Sequence, residues 1–167
     1  RALANQHVNR LGKTDAVAGR ERIARVQVRR VVTPHRRGDA ALSHGALVRQ
    51  TTGAGGARSE AARGFPGIFQ VGVPASRQAV ASGLEANAAS VHTLFALMEA
   101  VDDTTVLYRG GVDAGLFVRR SAAEFLAAGG CSREDWFERA ERRHRVFVAR
   151  KLSPVGCADL LAATLLV

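Results

Sequence analysis

Ala86-Asn87-Ala88-Ala89-Ser90-Val91-His92-Thr93-Leu94-Phe95-Ala96-Leu97-Met98-Glu99-Ala100-Val101 decides the fold class. Val91, Leu94, Phe95, Met98 and Val101 recur at three- and four-residue steps, which places them on one face of a helix. Downstream the same period returns three times. Leu116, Phe117, Ala123 and Leu126 predict an inward face for a helix over about 112–128. Trp136, Phe137, Ala140, Phe147 and Val148 do so for the next segment, and Cys157, Leu160, Leu161, Thr164 and Leu165 for the last. His144 falls on the third of these stripes and reads as a core histidine, whereas His92 reads as a helix-flank residue.

The punctuation between these segments is consistent with helices. Gly129-Gly130 ends one, and Ser132-Arg133-Glu134-Asp135 resembles a capping box for its successor. Ser153-Pro154 supplies a cap and a first-turn proline for the last helix. Upstream, Leu42–Gln50 and Ala57–Arg63 read as short helices, Phe65-Pro66-Gly67 as a turn, and Pro74 to about Leu84 as a helix. Aromatic residues make up only 5% of the chain, so the apolar mass is mostly Ala, Leu and Val, which favours packed helices over a sheet. The expected fold is all-α, an irregular multi-helix bundle with glycine-rich loop–helix junctions.

Charge divides the chain in two. The net charge of +9 suggests a nucleic-acid binder, but residues 1–40 hold ten Lys+Arg against three acids. Residues 41–167 carry fourteen basic groups against twelve acids, so the excess belongs to a basic arm or linker. Nucleic acid is therefore not the expected partner. Cys131 and Cys157 lie outside any C-x-x-C pair and suit a reducing, cytosolic setting. The apolar run Ala158–Val167 is too short to span a bilayer. The chain opens on Arg1, which reads as a fragment or a processed form.

Three junctions hold residues that core packing does not require. Gly55-Gly56-Ala57-Arg58-Ser59-Glu60 puts glycines and an arginine at a helix start, where open N–H groups favour an anion. Asp102-Asp103 reads as a carboxylate pair closing a helix, followed by a loop to Gly110-Gly111. The helix dipole is negative at that end, so a divalent cation would relieve the pair, and Arg109 offers a fork for phosphate. Arg109 paired with Asp103 is the plain alternative. Asp159 follows the capped start of the last helix, where the dipole favours a carboxylate for structure or function alike.

In this order the junctions resemble the triphosphoribosyl-dephospho-CoA synthase family. The resemblance rests on Ser43-His44-Gly45, on Gly55 to Ala61 with Gly64-Phe65-Pro66, and on Asn87 with Leu94 to Met98. Asp103-Thr104 with Arg109-Gly110-Gly111, and Leu152-Ser153-Pro154 with Gly156 to Ala162, complete it. It covers about residues 41–167 and corresponds to the family's C-terminal half, leaving 1–40 poorly matched. It departs at Val155, where the family pattern has a second glycine, and this predicts a different loop there.

The resemblance implies ATP and 3′-dephospho-CoA as substrates, Mg²⁺ with the ATP, and release of adenine. The product would be a prosthetic-group precursor for citrate lyase or malonate decarboxylase, whose acyl-carrier proteins are downstream partners. It further implies Asp103, Asp159 and Glu60 as catalytic carboxylates, with Asp103 and Asp159 also toward the metal. Arg58, Arg109, Gly110, Gly111, Asn87 and Ser153 would contact substrate. The alternatives are a catalytically incomplete fragment and a basic nucleic-acid-binding protein. Because the basic arm contributes few regularly spaced apolar residues, deletion of residues 1–39 is expected to leave the melting temperature within a few degrees. A collapse into aggregate on calorimetry would show that the arm packs on the core.

Overall fold

A computed structural model describes residues 48, 50 and 54–167. Within them all regular structure is helical, in agreement with the all-α expectation. The basic arm, the Ser43-His44-Gly45 segment and most of the predicted Leu42–Gln50 helix lie outside the described residues, although Val48 and Gln50 are helical.

Helix α1 (Gly56–Ala62) ends in a left-handed turn at Gly64, φ 73°, and Phe65, φ 59°. The Phe65 N–H closes back on the Glu60 carbonyl at 2.7 Å, and the Phe65 ring is buried. The predicted Phe65-Pro66-Gly67 turn thus passes at once into a π-helical run, Gly67–Gly72, which continues into α2 (Val73–Ala81). Pro74 stands where the wide turn gives way to the regular one. It has no N–H to donate backward, and its ring crowds the carbonyl four residues before it. Gly72 lets this turn approach the last helix, where a Cβ would collide with Thr164.

Helix α3 (Ala86–Ala100) is the centre of the molecule. Phe95 and Met98 of the predicted stripe are buried, but so are Ala88, Ala89, Thr93 and Leu97 on other faces. Neighbours surround it: α2, α4, α6 (Val155–Thr164) and the π-helical run all contact it. The Thr93 hydroxyl on this helix donates to the Ala89 carbonyl at 2.7 Å, which offsets the cost of burying it.

Helix α4 (Thr104–Ala127) differs most from expectation. Helical structure begins at Thr104, where a loop was expected, but Gly111 (φ 71°, ψ −170°) divides the run in two, so a separate helical stretch does begin at about 112 as predicted. Beyond the break Val118, Ala122 and Phe125 face the core, and Leu116 is 54% exposed. Steps of four and three residues link that buried set, so the stripe was real but its phase was displaced. Phe125 stacks on Phe95 with centroids 4.0 Å apart. Arg139 and Arg143 lie over the Phe125 ring at 5.4 and 5.3 Å.

A short 3₁₀ turn, Gly130–Ser132, leads to α5 (Trp136–Ala149). The capping box does not form, because the Asp135 carboxylate pairs with Arg133 at 2.8 Å instead of bonding the helix amides. Only Phe147 of α5 is fully buried, edge-on to Phe117. Phe137, Val148 and His144 are exposed, so the inward stripe predicted for this helix is only partly used. In α6 the cap position is Pro154, and Ser153 makes no side-chain cap bond. No helix among the described residues is long and apolar enough to cross a membrane.

Phe125 is wholly buried at the meeting of α3, α4 and α5. Phe125→Ala is expected to cost about 3–5 kcal/mol in urea denaturation. Leu116→Ala, on the outer face, should change stability by about 0.5 kcal/mol or less.

Candidate functional site

Three stretches far apart in sequence enclose one cavity of about 840 Å³. They are the α1 region with the turn after it, the α3–α4 junction, and the first turns of α6. Glu60, Asp102, Asp103 and Asp159 all line it, and Arg63 is the one basic side chain among its described lining residues. The structure therefore brings together the three carboxylates singled out from sequence. It gives them different work.

Asp103 is 7% exposed and caps two helices. Its Oδ1 accepts the Thr105 N–H at 2.8 Å and the Val106 N–H at 3.2 Å, at the start of α4. Its Oδ2 accepts the Cys157 N–H at 2.9 Å, in the first turn of α6. That turn has Pro154 at its cap position, which offers no side-chain acceptor, so Asp103 supplies one from 54 residues away. Gly156 makes room for it: a Cβ there would stand 3.1 Å from Oδ2. The electrostatic reading from sequence is thereby reversed. The peptide after Asp103 is helix and not loop, and the carboxylate sits at the positive ends of two helices.

Glu60, also 7% exposed, is a second clasp. Its Oε2 accepts the Gly67 N–H at 2.9 Å at the head of the π-helical run, and its Oε1 pairs with Arg63 at 3.3 Å. Asp102 is half exposed and pairs with Arg119 at 3.0 Å. Asp159 differs from all of these. It is exposed on the cavity wall and has no hydrogen bond or ion pair to another described residue. Behind it Cys157 is fully buried, and burial, reinforced by the Asp103 charge, pushes its thiol well above the ordinary range. Both cysteines are free.

The remaining sequence-predicted residues whose side chains are described are not among the lining residues of this cavity. Arg109, Asn87 and Ser153 line a second one, of about 630 Å³, between α3, α5 and the loop before α6. Gly110 and Gly111 are among the lining residues of neither; Gly111 serves as the break in α4. The Arg58 side chain lies outside the described residues. Sequence reasoning missed Trp136, as more than a core residue, and Lys151, both of which line the second cavity. The only signal for them was an aromatic at a helix start and one of just two lysines in an arginine-rich chain.

The sequence model of the CitG family, ATP:dephospho-CoA triphosphoribosyl transferase, matches residues 1–167, the basic arm included. The chain belongs to this family. A probable 2-(5″-triphosphoribosyl)-3′-dephosphocoenzyme-A synthase of Acinetobacter calcoaceticus is 39% identical over 123 residues, covering 74% of this chain and 42% of that protein. One from Pseudomonas fluorescens is 41% identical over 125 residues, 75% of this chain and 43% of that protein. The Pectobacterium atrosepticum synthase is 43% identical over 109 residues, 65% and 35% respectively. This CitG-family chain thus spans about two-fifths of the length of the first two of these relatives. No solved structure gives a significant match. At the departure from the family pattern, Val155 is the first residue of α6 and is not among the residues with positive φ.

The double cap generates a stability prediction. Asp103→Ala leaves three amides at two helix starts without their acceptor and is expected to cost about 2–4 kcal/mol. Asp103→Asn keeps one carbonyl acceptor and should cost less. Equal, small losses in thermal denaturation would show that the junction does not depend on this carboxylate.

Proposed function

We propose that the chain takes part in transferring the 5-triphosphoribosyl group of ATP to the 2′-hydroxyl of 3′-dephospho-CoA, with release of adenine. The single observation that carries the reading is the convergence of Glu60, Asp103 and Asp159 in one cavity of a CitG-family chain. The cavity wall is acidic, and a triphosphate would be repelled by it unless a cation came with the nucleotide. The donor set fits such a cation. Among the described residues no group of three or more His, Cys, Asp or Glu side chains is gathered to cage a metal. Mg²⁺ characteristically takes one or two carboxylates and completes its shell with water and substrate phosphate. Asp159, with the remaining lone pairs of Asp103, would hold it, and when bound it offsets the charge of the triphosphate.

The chain's own residues then divide the task. Asp103 and Glu60 hold the three walls in register, Asp103 through backbone amides on both oxygens and Glu60 through the Gly67 amide and Arg63. Asp159 keeps its oxygens available and is the candidate to face the reacting ribose, where an adjacent carboxylate stabilises an oxocarbenium-like centre or takes the proton of the attacking hydroxyl. Such a product would serve as the prosthetic-group precursor of citrate lyase or malonate decarboxylase and pass to an acyl-carrier protein. Two buried free cysteines suit a cytosolic setting for this chemistry.

Calorimetric titration with ATP is the test. Binding is expected to require Mg²⁺ and to weaken roughly ten-fold or more in Asp159→Asn. A chromatographic assay should find adenine set free only when dephospho-CoA accompanies ATP. ATP affinity indifferent both to Mg²⁺ and to Asp159→Asn would sink the reading.

A further inference from the structure

The second cavity differs from the first in chemistry. Its floor is apolar, formed by Val91, Leu94, Phe95, Met98 and Phe147, with Trp136 and Phe137 at one side. Phe137 and Val148 line it while remaining 61% and 58% exposed, so large apolar surface is left open to a ligand. Its charged lining residues are Arg109, Lys151 and Glu141, with His144 beside them. Glu141 is occupied by Arg145 at 2.8 Å. Arg109 and Lys151 have no ion pair with another described residue, so the rim presents two uncommitted cations.

Lys151 carries a second signal, in the backbone. Leu152 N–H bonds the Phe147 carbonyl and Lys151 N–H the Val148 carbonyl, both at 2.9 Å, the double bond that closes a helix through a left-handed residue. Lys151 is that residue, with φ 56°. The corresponding position is Gly64 after α1, Gly83 after α2 and Gly129 after α4. Three helix ends use glycine, which has no Cβ to strain, and the fourth places a lysine at the cavity rim. Strain of this kind persists where the side chain has a use.

We propose that this cavity binds an extended, largely apolar arm with a phosphate at its end, namely the pantetheine phosphate portion of the acceptor. The assignment rests on the proposed function, because dephospho-CoA is the substrate with such an arm. The gem-dimethyl and methylene groups lie on the apolar floor. Asn87 and Ser153 supply partners for the two amides, and Arg109 with Lys151 pairs the phosphate oxygens. The two cavities share segments: Thr104 and Thr105 line the first and Arg109 the second, and Ser153-Pro154 line the second where Gly156 and Asp159 line the first. On this proposal one acceptor would lie across these shared segments, its ribose toward the carboxylates and its arm over α5.

Trp136 is the only tryptophan in the chain, and it reports on this cavity alone. Titration of the full chain with dephospho-CoA, and separately with pantetheine 4′-phosphate, is expected to change its emission saturably. ADP, which lacks the arm, should not do so at the same concentrations, nor should ATP with Mg²⁺. Arg109→Ala and Lys151→Gly should each weaken pantetheine 4′-phosphate roughly ten-fold or more. Lys151→Gly should do so with an equal or higher melting temperature, an effect that a merely structural lysine would not give. An unchanged emission while ATP and Mg²⁺ still bind overturns this proposal and leaves the proposed function standing; failure of both ligands overturns both. An equal response to ADP, or affinity untouched by Lys151→Gly, overturns the arm assignment. Emission that follows protein concentration and not ligand gives the groove to a second copy and overturns it as well.

Discussion

One carboxylate holds two helix starts together. Asp103 takes amides of α4 from its own chain neighbours and an amide of α6 from across the bundle, all away from water. Buried backbone donors cannot be left unpaired without a cost of about 1–3 kcal/mol each, so the position of α6 is tied to that of α4 wherever the carboxylate sits. The π-helical run is fastened by the same device at smaller range, with Glu60 accepting the Gly67 amide. The cavity between these elements exists because its corners are pinned by side chains that also line it. Asp159 is left as the carboxylate of that wall with no internal partner among the described residues.

Much of this was legible in the sequence, and the exceptions have physical causes. The α3 stripe announced a helix, since Phe95 and Met98 recur at the proper period, but a one-sided pattern could not reveal burial on every face. Alanines at 88 and 89 bury as readily as they stay exposed, and give no phase. The helical stretch from Thr104 to the Gly111 break was missed because two adjacent aspartates look alike at a helix C-terminus and at an N-cap, and only the tertiary fold says which. Gly110-Gly111 read as a break, and the positive φ and non-helical ψ of Gly111 do divide α4 into two helical stretches there.

The candidate site was read as one constellation and is distributed over two. Glu60, Asp103 and Asp159 converge, while Arg109, Asn87 and Ser153 gather around an apolar groove. Periodicity reveals which face of a helix a residue occupies, but not which of the two cavities it lines. Family membership, shared with relatives of whose length the match covers about two-fifths, fixes the setting in which both must be understood.

The geometry of the double cap also sets how freely the chain may vary. At 156 a Cβ would stand 3.1 Å from Asp103 Oδ2, so a larger residue there requires the carboxylate that caps both helices to give by a few tenths of an ångström. One residue earlier the constraint vanishes. Val155 enters the helix with ordinary backbone angles and 42% of its surface in solvent, and a β-branched residue there is a neutral replacement for glycine. Two adjacent positions thus tolerate change unequally: Gly156 is hemmed in by the carboxylate that caps both helices, while Val155 opens onto solvent.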